Sequence, residues 1–453
     1  MDNKTISWCK DSKSEVQAVE SPDPELALPN IPSLAIIIIV STVLQLSFFI
    51  IIPASDEYAL YLGGDSTFSG LTIGIPTAIS GLILFPLTKY DRGRYRFPLH
   101  LSCAACILGH ILYSLAFNTR CLYLLLIGRI VNGFAFAFWM YCKRYCSDPR
   151  IVGIRRRTTL AGFLVVGQGL GTSAGPFFGG LLYKTGLKNP IFNGFTSPGW
   201  IMAGIWCILW ICVTLWFEDV PPVPSQLGVS YPVLGKINRE GNSNSNAPPS
   251  MPGSFSFSRR QTGAMICMCW FGMTCFFILG AWEANIPVFG AAFGPFHWSP
   301  YAAGNFIALG AAIAFPFLVT NIFVARCIED RKILAFGFSL GLAGLFIFLA
   351  LLETDKLNYG SMLVCWWAVA LGFNVVSSMP ISLLSKKLPS SWNNRISLMV
   401  QCCMYAGRVG GAIWGGSGVR IGMRTYVVLE IALVGIGIIL YLISWHDLET
   451  KLG

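Results

Sequence analysis

Gly128-Arg129-Ile130-Val131-Asn132-Gly133 opens the stretch that decides how this chain is read. A loop carrying Lys143, Arg144, Arg150, Arg155, Arg156 and Arg157 follows, and then Gly171-Thr172-Ser173-Ala174-Gly175-Pro176-Phe177-Phe178-Gly179-Gly180. Apolar spans flank the loop on both sides, and a cluster of cations between two hydrophobic helices marks a cytoplasmic loop. The first helix carries an arginine where charge is costly. The second carries Gly171, Gly175 and Gly179 at i, i+4 and i+8, with Pro176 beside them. A helix face without side chains lets a neighbouring backbone approach closely, and the proline bends the helix where it does so.

The rest of the composition agrees with a chain built for lipid. Of 453 residues, 54% are hydrophobic and 12% charged, against about 25% charged in a soluble domain, and the mean hydropathy is +0.61. The 15 cysteines lie mostly in apolar segments and make neither a disulfide nor a zinc framework. Cys103 and Cys106 have redox spacing but sit in an apolar helix. The first thirty residues are polar and of mixed charge, so no cleavable leader is expected. Paired carboxylates, a catalytic triad and a metal cluster do not converge at recognisable spacing, which argues against an enzyme and implies no cofactor or metal.

A span needs about 20 apolar residues, which places spans near 32–53, 66–88, 98–117, 121–142, 158–182 and 199–217. Six more are expected near 262–290, 300–325, 333–352, 360–384, 396–418 and 425–444. The expected organisation is a disordered tail over 1–30, a six-helix bundle over 31–217, a linker over 218–260, a second bundle over 261–445 and a tail over 446–453. The linker is rich in Pro, Ser, Asn and Gly, a composition that resists packing. With both termini inside, 24 of the 32 Lys and Arg fall in cytoplasmic segments and six in external loops; Arg129 and Arg408 complete the count within spans. That asymmetry sets the orientation. It also accounts for the formal charge of +10 without a nucleic-acid partner.

Charge inside the spans points to function, since ionisable groups there are rare and expensive. Arg129 lies eight residues inside the fourth span, about 12 Å at helical rise. Glu283 lies at similar depth in the seventh, and Arg408 in the middle of the eleventh, beside Gly407, Gly410 and Gly411. Arg129, Glu283, Arg408, Asn285 and Gln168 form the candidate substrate and coupling set. Arg408 either packs against backbone carbonyls or meets substrate. Arg129 and Glu283 are expected to pair across the two halves. Asp56 and Glu57, at the end of the first span, are candidates for proton or cation binding or simply a solvated loop. His110 reads as a packed histidine. Trp282, Trp366, Trp367 and Trp414 read as belt or packing residues, each with a site-lining alternative. Gln45, Asn374 and Gln401 either bind solute or bridge helices, and Glu430 has no evident role.

Two loops carry a candidate gate. Lys89-Tyr90-Asp91-Arg92-Gly93-Arg94-Tyr95-Arg96 follows the second span, and Arg326-Cys327-Ile328-Glu329-Asp330-Arg331-Lys332 follows the eighth. In both, an aspartate among arginines can hold helices through charge-assisted bonds. Asp91, Arg92, Arg94, Asp330 and Arg331 are therefore gating candidates, with Gly171, Gly175 and Pro176 as the flexible element of the fifth span.

Taken together, these motifs resemble the major facilitator superfamily. Its loop motif ends Asp-Arg-x-Gly-Arg, and here the residue between Arg92 and Gly93 is missing. The segments Ile52–Tyr58, Leu126–Ile130, Lys143–Asp148 and Ile328–Leu334 are similar to the membrane half of the SPX-linked facilitators. That group includes plant vacuolar phosphate transporters and lysosomal relatives, but only a short tail stands here in place of an SPX domain. The glycine-proline run of the fifth span resembles drug:proton antiporters, where it suggests export. The resemblance implies an all-α membrane protein, a twelve-span fold of two six-helix bundles. The first, fourth, seventh and tenth spans would line a central cavity, which Arg129 and Glu283 would share. The implied activity is alternating-access transport of a small-molecule substrate, coupled to protons and directed to efflux, by a monomer in the bilayer of the plasma, vacuolar or lysosomal membrane. An anion or phosphate carrier is the alternative within transport; a membrane sensor without flux is the alternative outside it.

Overall fold

The computed structural model describes residues 24–91, 93–153, 155–186, 189–220, 258–324, 328–388 and 393–448. Among them the chain is helical, and the elements are α1 (Ile31–Phe49), α2 (Ile52–Tyr61), α3 (Ser66–Tyr90), α4 (Arg96–Thr119), α5 (Leu122–Phe136), α6 (Phe138–Ser147), α7 (Arg157–Thr185) and α8 (Ser197–Trp216), followed by α9 (Arg259–Ala292), α10 (Pro300–Val324), α11 (Asp330–Glu353), α12 (Tyr359–Ser377), α13 (Met379–Lys387), α14 (Asn393–Ile421) and α15 (Met423–Ile443). Pairing α1 with α2, α5 with α6 and α12 with α13 gives twelve spans among the described residues, eleven of them within about five residues of their expected bounds; the first runs on to Tyr61, eight residues past its expected end. Eleven are long and apolar enough to cross a membrane. The twelfth, α7, has 29 residues, ample length at 1.5 Å each, but its glycines dilute its hydropathy.

The broken spans follow from proline and local geometry. Pro53 and Pro380 sit in the first turns of α2 and α13, where a missing N–H costs nothing but the preceding helix cannot run through unbroken. The break between α5 and α6 falls at Ala137 and has no proline to cause it.

Glycine determines which helices touch. A Cβ built on Gly171 would lie 2.6 Å from Thr42 O, and one on Gly179 only 1.9 Å from Ile50 O, so α7 lies backbone to backbone on α1. Gly175 meets Phe49 in the same way. These glycines are contact positions, as their spacing suggested.

The two bundles also meet through glycine. Gly70, Gly74 and Gly416 join α3 to α14, while Gly180 and Gly304 join α7 to α10. The deepest such contacts are Gly81 against Tyr405 and Gly169 against Phe315. Among the described residues, glycine-mediated contacts between the halves therefore run from the end bearing Asp65 and Arg420 to the middle, and stop short of the end bearing Asp91 and Asp330.

Parts of the expected tail and linker are built into the fold. Gly153 donates to Ala27 O at 3.0 Å, and Arg155 pairs with Glu25 at 2.8 Å. Asp219 accepts from the amides of Tyr95 (2.9 Å) and Arg96 (3.3 Å) at the start of α4, where a negative charge suits the helix dipole.

Candidate functional site

Helices α9 and α14 are held at unusually short range. Cβ atoms on Gly407, Gly411 and Gly415 would lie 2.1, 1.9 and 2.1 Å from the carbonyl oxygens of Met273, Phe277 and Ala281. This contact brings Arg408 of α14 onto Glu283 of α9. The Arg408 guanidinium donates to Glu283, and both residues are buried, at 8% and 5% exposure. Arg408 also reaches across to the other half: its guanidinium carbon lies 4.8 Å from the Phe48 ring centre and 5.6 Å from that of Phe49. Phe276 lies at 5.9 Å on its own side. Stacking on aromatic faces suits a weakly hydrated guanidinium.

Arg129 also stands against the Phe48 ring, 5.7 Å from its centre and 5.9 Å from that of Phe136. Its Nε donates to Thr72 O at 3.0 Å. It is fully buried, and its two terminal nitrogens have no hydrogen-bond partner among the described residues. The expected pair of Arg129 with Glu283 is therefore corrected: the ionic partner of Glu283 is Arg408. Counting along a helix gives depth but not the direction a side chain takes. Here α14 lies directly on α9, whereas Phe48 of α1 stands against Arg129.

Three of the candidate amides bridge helices, whereas Asn374 donates to Ala370 O of its own helix at 2.7 Å. Asn285 Nδ2 donates to Gly415 O at 2.9 Å, and Gln168 Nε2 to Ser41 Oγ at 3.2 Å. Gln45 Nε2 donates to Thr172 Oγ1 at 3.0 Å. Trp282 donates to Glu430 at 2.9 Å and stacks on Trp366; this gives Glu430 the role its sequence context did not reveal. His110 is buried with neither ring nitrogen partnered among the described residues.

At the other end of the molecule, Asp91 and Asp330, the candidate gate aspartates, are both buried and bonded within their own half. Asp91 accepts from Tyr141 Oη (2.6 Å), Arg144 Nη1 (3.1 Å) and the Gly93 amide (2.7 Å). Next to it Tyr95 Oη donates to Asp148 at 2.8 Å, and Arg150 joins Asp148 to Gly93 O, the latter at 2.8 Å. Burial alone would raise the Asp148 carboxyl, but the bonds from Arg150 and Tyr95 outweigh it and hold it below the ordinary range. Asp330 accepts from Ser382 at 3.2 Å. Arg331 donates to Glu329 at 2.6 Å, which keeps that half-buried carboxylate below its usual range, and lies over Trp445. Each aspartate thus ties the end of one span to the second half of a broken span, α6 or α13. The Arg94 side chain is exposed, with its amide bonded to Asp91 O at 2.9 Å. Arg92 lies outside the described residues.

Sequence reasoning did not single out Tyr141 or Ser382, the partners of the two aspartates, or Phe48, the ring shared by two arginines. Tyr141 and Arg144, three residues apart on one helix face, were a usable signal; nothing marked Phe48.

A cavity of about 470 Å³ lies at the Asp65–Arg420 end, lined by Asp56, Ser66, Val288, Gly416 and Arg420 among others. Asp56 is 8% exposed. Glu57 instead accepts from Tyr183.

Two six-helix bundles joined by glycine contacts, with a charge pair buried near their seam, define a membrane transporter of the facilitator fold. Residues 37–412 match the Major Facilitator Superfamily, and the chain belongs to that family. An MFS-type transporter of Schizosaccharomyces pombe is 31% identical over 95% of this chain and 85% of its own length. A second from that yeast is 28% identical over 100% of this chain and 96% of its own. An SPX domain-containing membrane protein of Arabidopsis thaliana is 32% identical over 43% of this chain and 28% of its own. Among solved structures, a POT family transporter superposes with TM-score 0.68 at 12% identity, covering 94% of this chain and 99% of that one. A bacterial homologue of the lysosomal transporter Spinster, inward-facing and occupied, gives 0.64 at 13%, over 92% and 98%. These likenesses establish the fold.

Proposed function

We propose that the protein is a proton-coupled secondary transporter that moves a small anionic solute together with a proton by alternating access. The observation that carries this reading is the Arg408–Glu283 pair, buried in one half with its guanidinium against Phe48 and Phe49 of the other. A proton on Glu283 removes the counter-charge of Arg408 and frees a guanidinium for an anion; deprotonation restores the pair and expels the anion. Each state of such a cycle disfavours an uncompensated charge, and this links the proton to the solute. Arg129, against the same Phe48 ring, adds positive potential to the same place. The cation asymmetry puts the Asp91–Asp330 end on the cytoplasmic side, and the glycine contacts at the opposite end support a state closed to the outside.

The test is transport into proteoliposomes with a panel of organic anions, phosphate included, under an imposed pH gradient. Glu283→Gln should bind and exchange substrate but fail to concentrate it, and Arg408→Ala should abolish both. Normal uphill, pH-dependent transport by Glu283→Gln moves the coupling role elsewhere, with Asp56 next.

A further inference from the structure

Helices α9 and α14 run parallel, and their close contact has a constant register. Gly407 meets Met273, Gly411 meets Phe277 and Gly415 meets Ala281, each step advancing four residues on both helices. One step back along the same register pairs Cys403 with Cys269. The two helices are still in contact near that level, where a Cβ on Gly272 would meet the side chains of Met404 (3.3 Å from Cγ) and Val400 (3.6 Å from Cγ1). The register sets the two thiols across from each other, and both residues are half-buried, so the pair is packed but not sealed.

We propose that Cys269 and Cys403 form a reversible disulfide that clamps α9 to α14, with a low-molecular-weight disulfide as the oxidant. In the first step the thiolate of one cysteine attacks the small disulfide, releasing one small thiol and leaving a mixed disulfide. The second cysteine, as its thiolate, then attacks the protein sulfur of that bond and expels the second small thiol. Two protein thiols are oxidised, one small disulfide is reduced to two thiols, and excess small thiol reverses both steps. A disulfide needs Cα atoms about 4.4–6.8 Å apart, closer than the roughly 8–10 Å between the axes of ordinarily packed helices. The glycine register is what draws these two helices closer than that. The clamp would fix the two helices that carry Glu283 and Arg408.

The test uses the full chain in nanodiscs, treated with glutathione disulfide and separately with the permeant oxidant diamide. Unreacted thiols are then alkylated in denaturant and the peptides mapped by mass. The expected product is a 269–403 cross-link, two hydrogens lighter than its parts, reversed by dithiothreitol and absent in both Cys269→Ser and Cys403→Ser. The unfolding midpoint should rise on oxidation of wild type and stay unchanged in either variant. Full alkylation of both cysteines after both oxidants overturns the proposal, as does a cross-link running through Cys402 instead. Transport should slow in the cross-linked form. That arm alone rests on the transport reading, so the bridge and the transport reading can fail separately.

Discussion

Replacing Arg408 by methionine leaves Glu283 as a buried carboxylate without its cation. Both members of the pair are more than nine-tenths buried, and removing one partner of such a pair costs about 3–5 kcal/mol, mostly the penalty for the charge left behind. A unit the size of one half responds by roughly 2–4 °C per kcal/mol. The midpoint of Arg408→Met should therefore fall by about 6–20 °C when followed by thermal unfolding in detergent at neutral pH. Glu283→Gln should cost less, because the guanidinium keeps Phe48, Phe49 and Phe276 around it. The double variant should recover most of the loss, since an apolar and a neutral group together leave no charge unpaired. It should nevertheless transport nothing, which separates folding from function. Two results refute the reasoning: a double variant no more stable than Arg408→Met alone, or rescue by Glu283→Gln of Arg129→Met but not of Arg408→Met.

Cysteines introduced at position 356 should be labelled by an impermeant reagent from outside, and those at 156 and 243 should not; external labelling at 243 would overturn the orientation. Asp91→Asn weakens the bonds from Tyr141, Arg144 and Gly93, so turnover should drop while substrate affinity measured on solubilised protein holds; equal loss of both would place Asp91 in binding instead. Gly411→Val forces a branched side chain into a space where even a Cβ lies 1.9 Å from Phe277 O, and should lower stability by at least about 1–3 kcal/mol, the usual range for overpacking; a neutral effect would show that α9 and α14 separate freely. The lowered Asp148 carboxyl contributes stability that is complete above its unfolded value near pH 3.9 and is lost as pH falls through the lower folded value; in Arg150→Ala that acid-dependent loss should shrink, as read by unfolding midpoints across an acid pH series.

The helical class and the placement of the spans were legible in the sequence, because the bilayer imposes a length and a polarity on each segment separately. The glycines at four-residue spacing on α7 were legible too, since a bare helix face has one main structural use, close approach. The partners were not. Periodicity cannot say whether Gly171 faces α1 or α10, nor that Pro53 and Pro380 divide their spans while Pro76 and Pro86 remain inside α3. Arg129 and Glu283 share a depth, but only the packing of α14 on α9 decides that Glu283 takes Arg408. Glu430 shows the same limit: it is an unexplained charge along the chain and the hydrogen-bond partner of Trp282 once α9 and α15 are side by side. Hydropathy is a property of each segment, whereas the azimuth of a helix depends on its neighbours, and the chemistry of this site depends on azimuth.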